Sequence, residues 1–361
     1  MKVVVVGGGV IGCSVAFALQ MSGAKVTLLE RGEIGGEASG ASAGMLIPPL
    51  EDSASRTFNR LRTASLEMFP VWLEEVQRLS RVNVEYKRTG MLRIAQTPEL
   101  AKKLKRIAKR QDGVEWVDPQ VLRELEPNLG DGILGALYSE DDADLNPGLF
   151  TNALADAAAK LGAKIRPGTM LTGFLGRGNW VEGVTSNGGD VKDADMVVLA
   201  AGPWTELLTV RLNHRLGTPP MRGQMIAYRS KALRHAIWGE DGYLLPKPRG
   251  FIFAGATVED VGFRKATTAR GLNELKRMAA TAVPRLKTAT VASSWAGLRP
   301  GSPDGMPVIG RMPGKSNVIV ATGHFRNGIL LAPITGRLVA DIVMTGKTDR
   351  RLKAYSPSRF K

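Results

Sequence analysis

Val3-Val4-Val5-Val6-Gly7-Gly8-Gly9-Val10-Ile11-Gly12 stands at the head of the chain and decides the reading of its fold. Four consecutive valines predict a parallel strand buried on both faces. The glycines fit G-x-G-x-x-G. Gly7 permits a tight turn, Gly9 lets backbone approach a pyrophosphate, and Gly12 lets the following helix pack closely on the strand. Val10 to Met21 reads as that helix, with Gly23 ending it in the left-handed conformation glycine tolerates. Val26-Thr27-Leu28-Leu29 reads as a second strand and ends at Glu30, 18 residues beyond Gly12. A carboxylate there accepts from a ribose 2′-hydroxyl and repels a 2′-phosphate. Strand, glycines, helix, strand and acid in this order predict a dinucleotide whose phosphates sit at the helix N-terminus. The unit leaves flavin and nicotinamide dinucleotides both open.

Working outward, Gly35 to Gly44 is rich in small residues, and so is suited to lie close against a ligand. A helix is expected near 55–80. The middle of the chain mixes short strands (Gly90 to Ala95, Ile133 to Tyr138) with helices (Pro98 to Arg110, Pro147 to Leu161). Met196 to Gly202 reads as another buried strand, and residues 221–258 alternate as antiparallel strands do. The tail returns to a strand at Val318 to Ala321, a loop over Gly323 to Gly328 and a helix over Ile329 to Met344. The α/β pieces thus lie at the start, centre and end. This predicts a Rossmann-type dinucleotide domain (1–83, 141–218 and 295–361) interleaved with a mostly antiparallel α+β substrate domain (84–140 and 219–294).

Composition narrows the function classes. The 361 residues are 43% hydrophobic and 23% charged, as in folded globular proteins. No apolar run is expected to span a membrane, and Met1 to Val6 is too short for a signal peptide, so the expected compartment is the cytoplasm. The one cysteine, Cys13, excludes an intramolecular disulfide, and His214, His235 and His324 lack metal-ligand spacing, so no metal is expected. The net charge of +15 permits an anionic partner. Its densest run, Lys102 to Arg110, places Leu104, Ile107 and Ala108 at helical spacing, which predicts a solvated basic helix face and no nucleic-acid module.

Several further segments carry a family resemblance: Gly35 to Met45, Ala201-Gly202-Pro203-Trp204, Trp295-Ala296-Gly297-Leu298-Arg299-Pro300-Gly301, Asp304 to Gly310, and Gly323-His324-Phe325-Arg326-Asn327-Gly328-Ile329-Leu330-Leu331-Ala332-Pro333. Over nearly its whole length the chain resembles the glycine oxidase and D-amino-acid oxidase family of flavoenzymes, and is most similar to the glycine oxidases of thiamine biosynthesis. The resemblance implies FAD, held non-covalently. The related sarcosine oxidases attach flavin to a cysteine later in the chain, where this sequence has none. Cys13 reads as a small buried residue.

By matching positions, the resemblance implies that Val10, Ile11, Glu30, Arg31, Ala38, Ser39, Ala43, Gly44, Met45 and Met170 line the cofactor alongside Gly7, Gly9 and Gly12. It implies the same for His324, Phe325, Arg326, Asn327, Gly328, Ile329 and Leu330. The last helix would meet the flavin with its N-terminal end, where backbone N–H groups face developing negative charge. Arg299 would bind the substrate carboxylate through a planar two-point pair. Tyr243 would donate to the same carboxylate, and Arg326 would contribute mainly through loop shape. His324 is expected to contact cofactor or structure and not to act as a base.

The implied reaction is oxidation of the C–N bond of glycine, sarcosine or a small D-amino acid. Hydride passes to flavin, and the imine then gives a 2-oxo acid and ammonia, while oxygen gives hydrogen peroxide. The resemblance also implies a homo-oligomer, with a tetramer as one form. Two alternatives stay open at this point. One is a quinone-linked D-amino-acid dehydrogenase of the same fold, docking on anionic lipid through its basic surface. The other is a basic flavoprotein acting on tRNA.

Overall fold

The computed structural model describes residues 1–48, 55–347 and 350–360. Among these residues the strands form two large sheets and two small ones. The first large sheet runs in the order Val308–Arg311, Val318–Thr322, Met196–Leu199, Lys2–Val6, Lys25–Leu29, Lys164–Arg166. All its pairings are parallel except that of the first two strands. The valine run therefore lies inside the sheet, and its alternation serves both faces. Val3 and Val5 pack with the helices Val10–Met21, Pro147–Lys160 and Gly328–Thr345. Val4 and Val6 pack with the three-stranded antiparallel sheet of Leu171–Leu175, Gly183–Ser186 and Val191–Lys192. That covering sheet and strand Lys164–Arg166 are short elements without a clear sequence period.

The second large sheet is nine-stranded and antiparallel but for one pairing, Ala236–Trp238 with Met91–Ile94. Helix Ala269–Ala282 closes one face, with Leu275 and Ala279 packed on Leu92, Ile226 and Leu244. The opposite face presents Met225, Tyr243, Leu245, Phe253 and Trp295 to Ala43, Met45 and Ile47 of the small-residue segment. The two sheets thus meet across the chain that leaves the second strand of the dinucleotide unit. A Rossmann-type dinucleotide domain with a second, mostly antiparallel domain is the observed fold class.

Strand Val291–Pro300 ties the two parts together. It pairs with Pro220–Arg229 from Pro220 opposite Pro300 to Tyr228 opposite Val291. The domain division expected between 294 and 295 falls inside this strand, because its ladder continues without a break at that point.

The expectation of no membrane-length apolar run meets one stretch, Phe325–Thr345, that is long and apolar enough to cross a membrane, though 72% of its most apolar window is buried inside the protein. The physical reason is its place. It packs between the helices Val10–Met21 and Arg56–Ser80 and is apolar nearly all round. The basic run lies on helix Pro98–Ala108, where Leu104 and Ile107 are buried while Lys102, Lys105 and Lys109 are exposed.

Candidate active site

A cavity of about 750 Å³ extends from the carboxyl ends of the parallel strands, at Val6 and Leu29, to the inner face of the nine-stranded sheet, at Met225 and Tyr243. In open α/β sheets the carboxyl edge is where ligands bind. Of the residues named from sequence, all but Gly12 line this cavity.

The glycine motif divides into two jobs. Gly7 has φ +112°, and a Cβ there would strike the Ala200 carbonyl oxygen. A Cβ on Gly8 would come within 2.6 Å of Ile34 Cδ1, and one on Gly12 would strike the Gly7 carbonyl oxygen. The protein's own packing demands these three glycines. Gly9 differs, for a Cβ there would meet no protein atom nearer than Ser39 Oγ at 3.2 Å. Its smallness keeps space open on the cavity side. Gly9 is also the N-cap of helix Val10–Met21, which has no side-chain cap and no acid in its first turn. An uncapped helix start facing a cavity beside an unfilled glycine fits a pyrophosphate.

Glu30 is held in place by accepting from Gly8 N–H at 2.6 Å and Gly32 N–H at 2.8 Å. Each of its oxygens keeps a lone pair for a sugar hydroxyl. Ser39 Oγ accepts from Val10 N–H at 2.9 Å, which pins the small-residue segment to the helix start. Arg31 is ion-paired to Glu37 at 3.0 Å and lies over Trp204, 3.7 Å from the ring centroid. Met170 lines the cavity while 48% exposed, and its backbone N–H donates to Asn187 Oδ1 at 2.7 Å.

Helix Gly328–Thr345 brings its own uncapped start to the cavity, where Gly328, Ile329 and Leu330 line the wall. His324 is buried. Its Nε2 lies 3.0 Å from Thr335 Oγ1, and its Nδ1 is buried without a hydrogen-bond partner. Burial pushes its pKa down to about 3, which keeps the imidazole neutral. Cys13, fully buried, lies with its thiol 3.4 Å from the Gly8 carbonyl and off the cavity wall, and burial pushes that thiol's pKa up.

At the other end, Arg299 Nη1 donates to the Thr257 carbonyl at 3.0 Å. Among the described residues no carboxylate pairs with it. Burial lowers its pKa, the Tyr243 phenol opposes that shift, and Arg326 adds to it. A half-buried guanidinium on the cavity wall, without a carboxylate partner among the described residues, calls for an anion. Burial likewise raises the Tyr243 phenol to about 12, so it stays a donor. Its hydroxyl finds a weak acceptor, Met225 Sδ at 3.7 Å. Arg326 is exposed, with its guanidinium 5.2 Å from the Phe325 ring centroid, and Phe325 itself has φ +48°.

Several wall residues escaped the sequence reading. The guanidinium of Arg299 lies directly on Gly223, where any Cβ would strike it. Thr257 fixes the same side chain, while Trp238 stacks on Tyr243 at 5.6 Å. Arg62 and Arg93 also line the cavity. Gly223 sits within the alternating segment 221–258, and its signal lies in its register with Val291–Pro300, which no local pattern reveals.

A family model described as "FAD dependent oxidoreductase" matches residues 2–342. The chain is 35% identical over 359 residues to a glycine oxidase of Pseudomonas putida, covering 99% of this chain and 98% of that one. It is 34% identical over 366 residues to a bifunctional protein ThiO/ThiG of Trichormus variabilis, covering 99% of this chain but 55% of that protein. This chain therefore spans about half the length of the bifunctional relatives it matches. A crystal structure of glycine oxidase from Geobacillus kaustophilus superposes with a TM-score of 0.93 at 32% identity, over 100% of this chain and 99% of that one. With the open dinucleotide cradle, the uncapped helix starts and the match along almost the entire chain, this protein belongs to the FAD-dependent oxidoreductase family, and its cofactor is FAD.

Proposed function

We propose that the chain is an oxidase of small amino acids, with glycine as the reference substrate, and that it serves thiamine thiazole synthesis as its relatives' names suggest. The observation that carries this reading is Arg299: half-buried, without a carboxylate partner among the described residues, and in one cavity with the dinucleotide cradle. Arg299 and Tyr243 bind the substrate carboxylate, the first by a two-point pair and the second by its phenolic O–H. Gly7, Gly9, Val10, Glu30, Ser39 and the start of the last helix hold FAD without a covalent bond. Bound there, FAD would supply the two-electron oxidation of the substrate α-carbon.

The protein's residues supply orientation and exclude water from the reacting carbon. No protein base is needed if the amine binds neutral, because its own lone pair drives hydride departure. His324 fits this division of labour, being neutral and tied to Thr335. The imine hydrolyses to glyoxylate and ammonia, and oxygen is the final acceptor, giving peroxide. We further propose a cytoplasmic homo-oligomer, and the domain division 1–83, 141–218 and 295–361 against 84–140 and 219–294, with the border near 294 moved to the end of strand Val291–Pro300, which pairs with Pro220–Arg229 of the substrate domain.

The decisive experiment is a peroxide assay of the purified yellow protein across small amino acids, repeated with Arg299→Lys. The variant keeps charge but loses the fork. It is expected to retain FAD and lose about 2–5 kcal/mol of transition-state binding, roughly 1.5 to 3.5 powers of ten in kcat/KM for glycine. A simple amine without a carboxylate should lose far less. Equal losses for both substrates would assign Arg299 a structural role and overturn the reading.

A further inference from the structure

We propose that the cavity holds a second anion-binding subsite, formed by Arg62 and Arg93, which selects amino-acid substrates carrying a second acidic group. The proposal rests on reading the cavity as an amino-acid site and names the substrate class more closely.

Arg62 comes from helix Arg56–Ser80 and Arg93 from strand Met91–Ile94, and both line the cavity. Arg62 is poorly satisfied. Its Nε is buried without a hydrogen-bond partner, and its Nη2 has a long contact of 3.5 Å to the Ile47 carbonyl. Arg93 lies with its guanidinium 5.8 Å from the Trp238 ring centroid. Among the described residues neither forms an ion pair with a carboxylate. Asp142 offsets the charge of Arg93 from a distance, but its Oδ1 is bonded to Ser139 Oγ at 2.7 Å. The other acids on this wall, Glu240 and Asp241, are exposed, and Glu240 accepts from Thr97 Oγ1 at 2.9 Å.

The two guanidinium groups repel each other. Burial first, and Arg93 second, lower the pKa of Arg62 to about 10. Two like charges held in a half-buried wall, with no ion-paired carboxylate among the described residues, cost stability that a ligand anion joining them offsets. The α-carboxylate of an amino acid is already taken by Arg299 and Tyr243. The neighbouring subsite shares the cavity with Arg299, and Trp238 lies beside both groups: the Arg93 guanidinium is 5.8 Å from its ring centroid and the Tyr243 ring 5.6 Å. A substrate with a carboxylate on its side chain or on its nitrogen fills both.

Two measurements on the FAD-loaded protein test this. Calorimetry compares malonate and succinate with acetate and propionate, none of which is an amine. Kinetics compares D-aspartate and iminodiacetate with D-alanine and sarcosine. The diacids should bind about tenfold or more tighter, and at least one diacid amine should exceed its monoacid counterpart in kcat/KM. Arg62→Met and Arg93→Met should each lower the diacid-to-monoacid ratio by about 10- to 100-fold, with Arg62→Lys restoring part of it. Equal binding of mono- and diacids by the unaltered protein would overturn the proposal, whatever the variants do. So would folded variants with unchanged ratios. Glycine oxidation without a diacid preference sinks this inference alone. Diacid binding through Arg62 without oxidation of any amine sinks the oxidase reading alone.

Discussion

The two ends of the cavity are built by different means. At the nucleotide end, consecutive residues and their backbone do the work: Gly7 to Gly12, the start of helix Val10–Met21, and Glu30 at the end of the next strand. At the substrate end, side chains do the work, and they arrive from distant strands. Arg299 is aimed by its register with Pro220–Arg229, by the absence of a Cβ on Gly223, and by the Thr257 carbonyl. A local site tolerates little change in its few residues. A register-built site is vulnerable at positions that never touch the ligand.

The largest expected effect breaks the local end. Gly9→Val should fold and bind no FAD, because its side chain grows into the cavity and meets almost nothing in the protein. Gly12→Val should yield no folded protein, since its side chain has nowhere to go against the Gly7 carbonyl. Flavin content and circular dichroism distinguish the two. If both variants fold alike and both lose FAD, the division of the motif into packing and ligand glycines is wrong.

Next comes Gly223→Ala, which probes the register-built end at the residue that lies under the Arg299 guanidinium. A methyl group there displaces the Arg299 guanidinium. FAD content should stay normal while kcat/KM for glycine falls about 100-fold, the scale of a 1 Å misplacement. A wild-type kcat/KM would mean that Arg299 reaches its ligand from another rotamer.

The smallest effect concerns protons. Between pH 5 and 10 neither His324, held near 3, nor Tyr243, held near 12, changes charge. The substrate amine does. Raising pH increases its neutral fraction, so anaerobic flavin reduction at limiting substrate should quicken about tenfold per pH unit until the amine's pKa. A falling limb or a second inflection in that window would reveal a protein group with a share in the chemistry.

The same contrast explains what was legible in the sequence. The valine run, the glycines and Glu30 could be read because each signal lies within a few residues of the next. Arg299, Tyr243 and the last helix start were reached through family resemblance, and no periodicity pointed to them. Gly223, Trp238, Thr257, Arg62 and Arg93 went unread, because each matters through a partner far along the chain. The apolar helix Gly328–Thr345 was legible as a helix, but its membrane-length composition was not expected; burial between two helices produces it.

Strand Val291–Pro300 acts as a ruler shared by both ends. Trp295 Nε1 donates to the Ala41 carbonyl at 3.0 Å, on the segment that walls the nucleotide end, and four residues later Arg299 serves the other. Inserting or deleting one residue here would shift Arg299 by about 3.4 Å and turn its side chain to the opposite face. Lineages of this fold can therefore lengthen or shorten the turns around the nine-stranded sheet, but within these ten residues only side chains are free to vary.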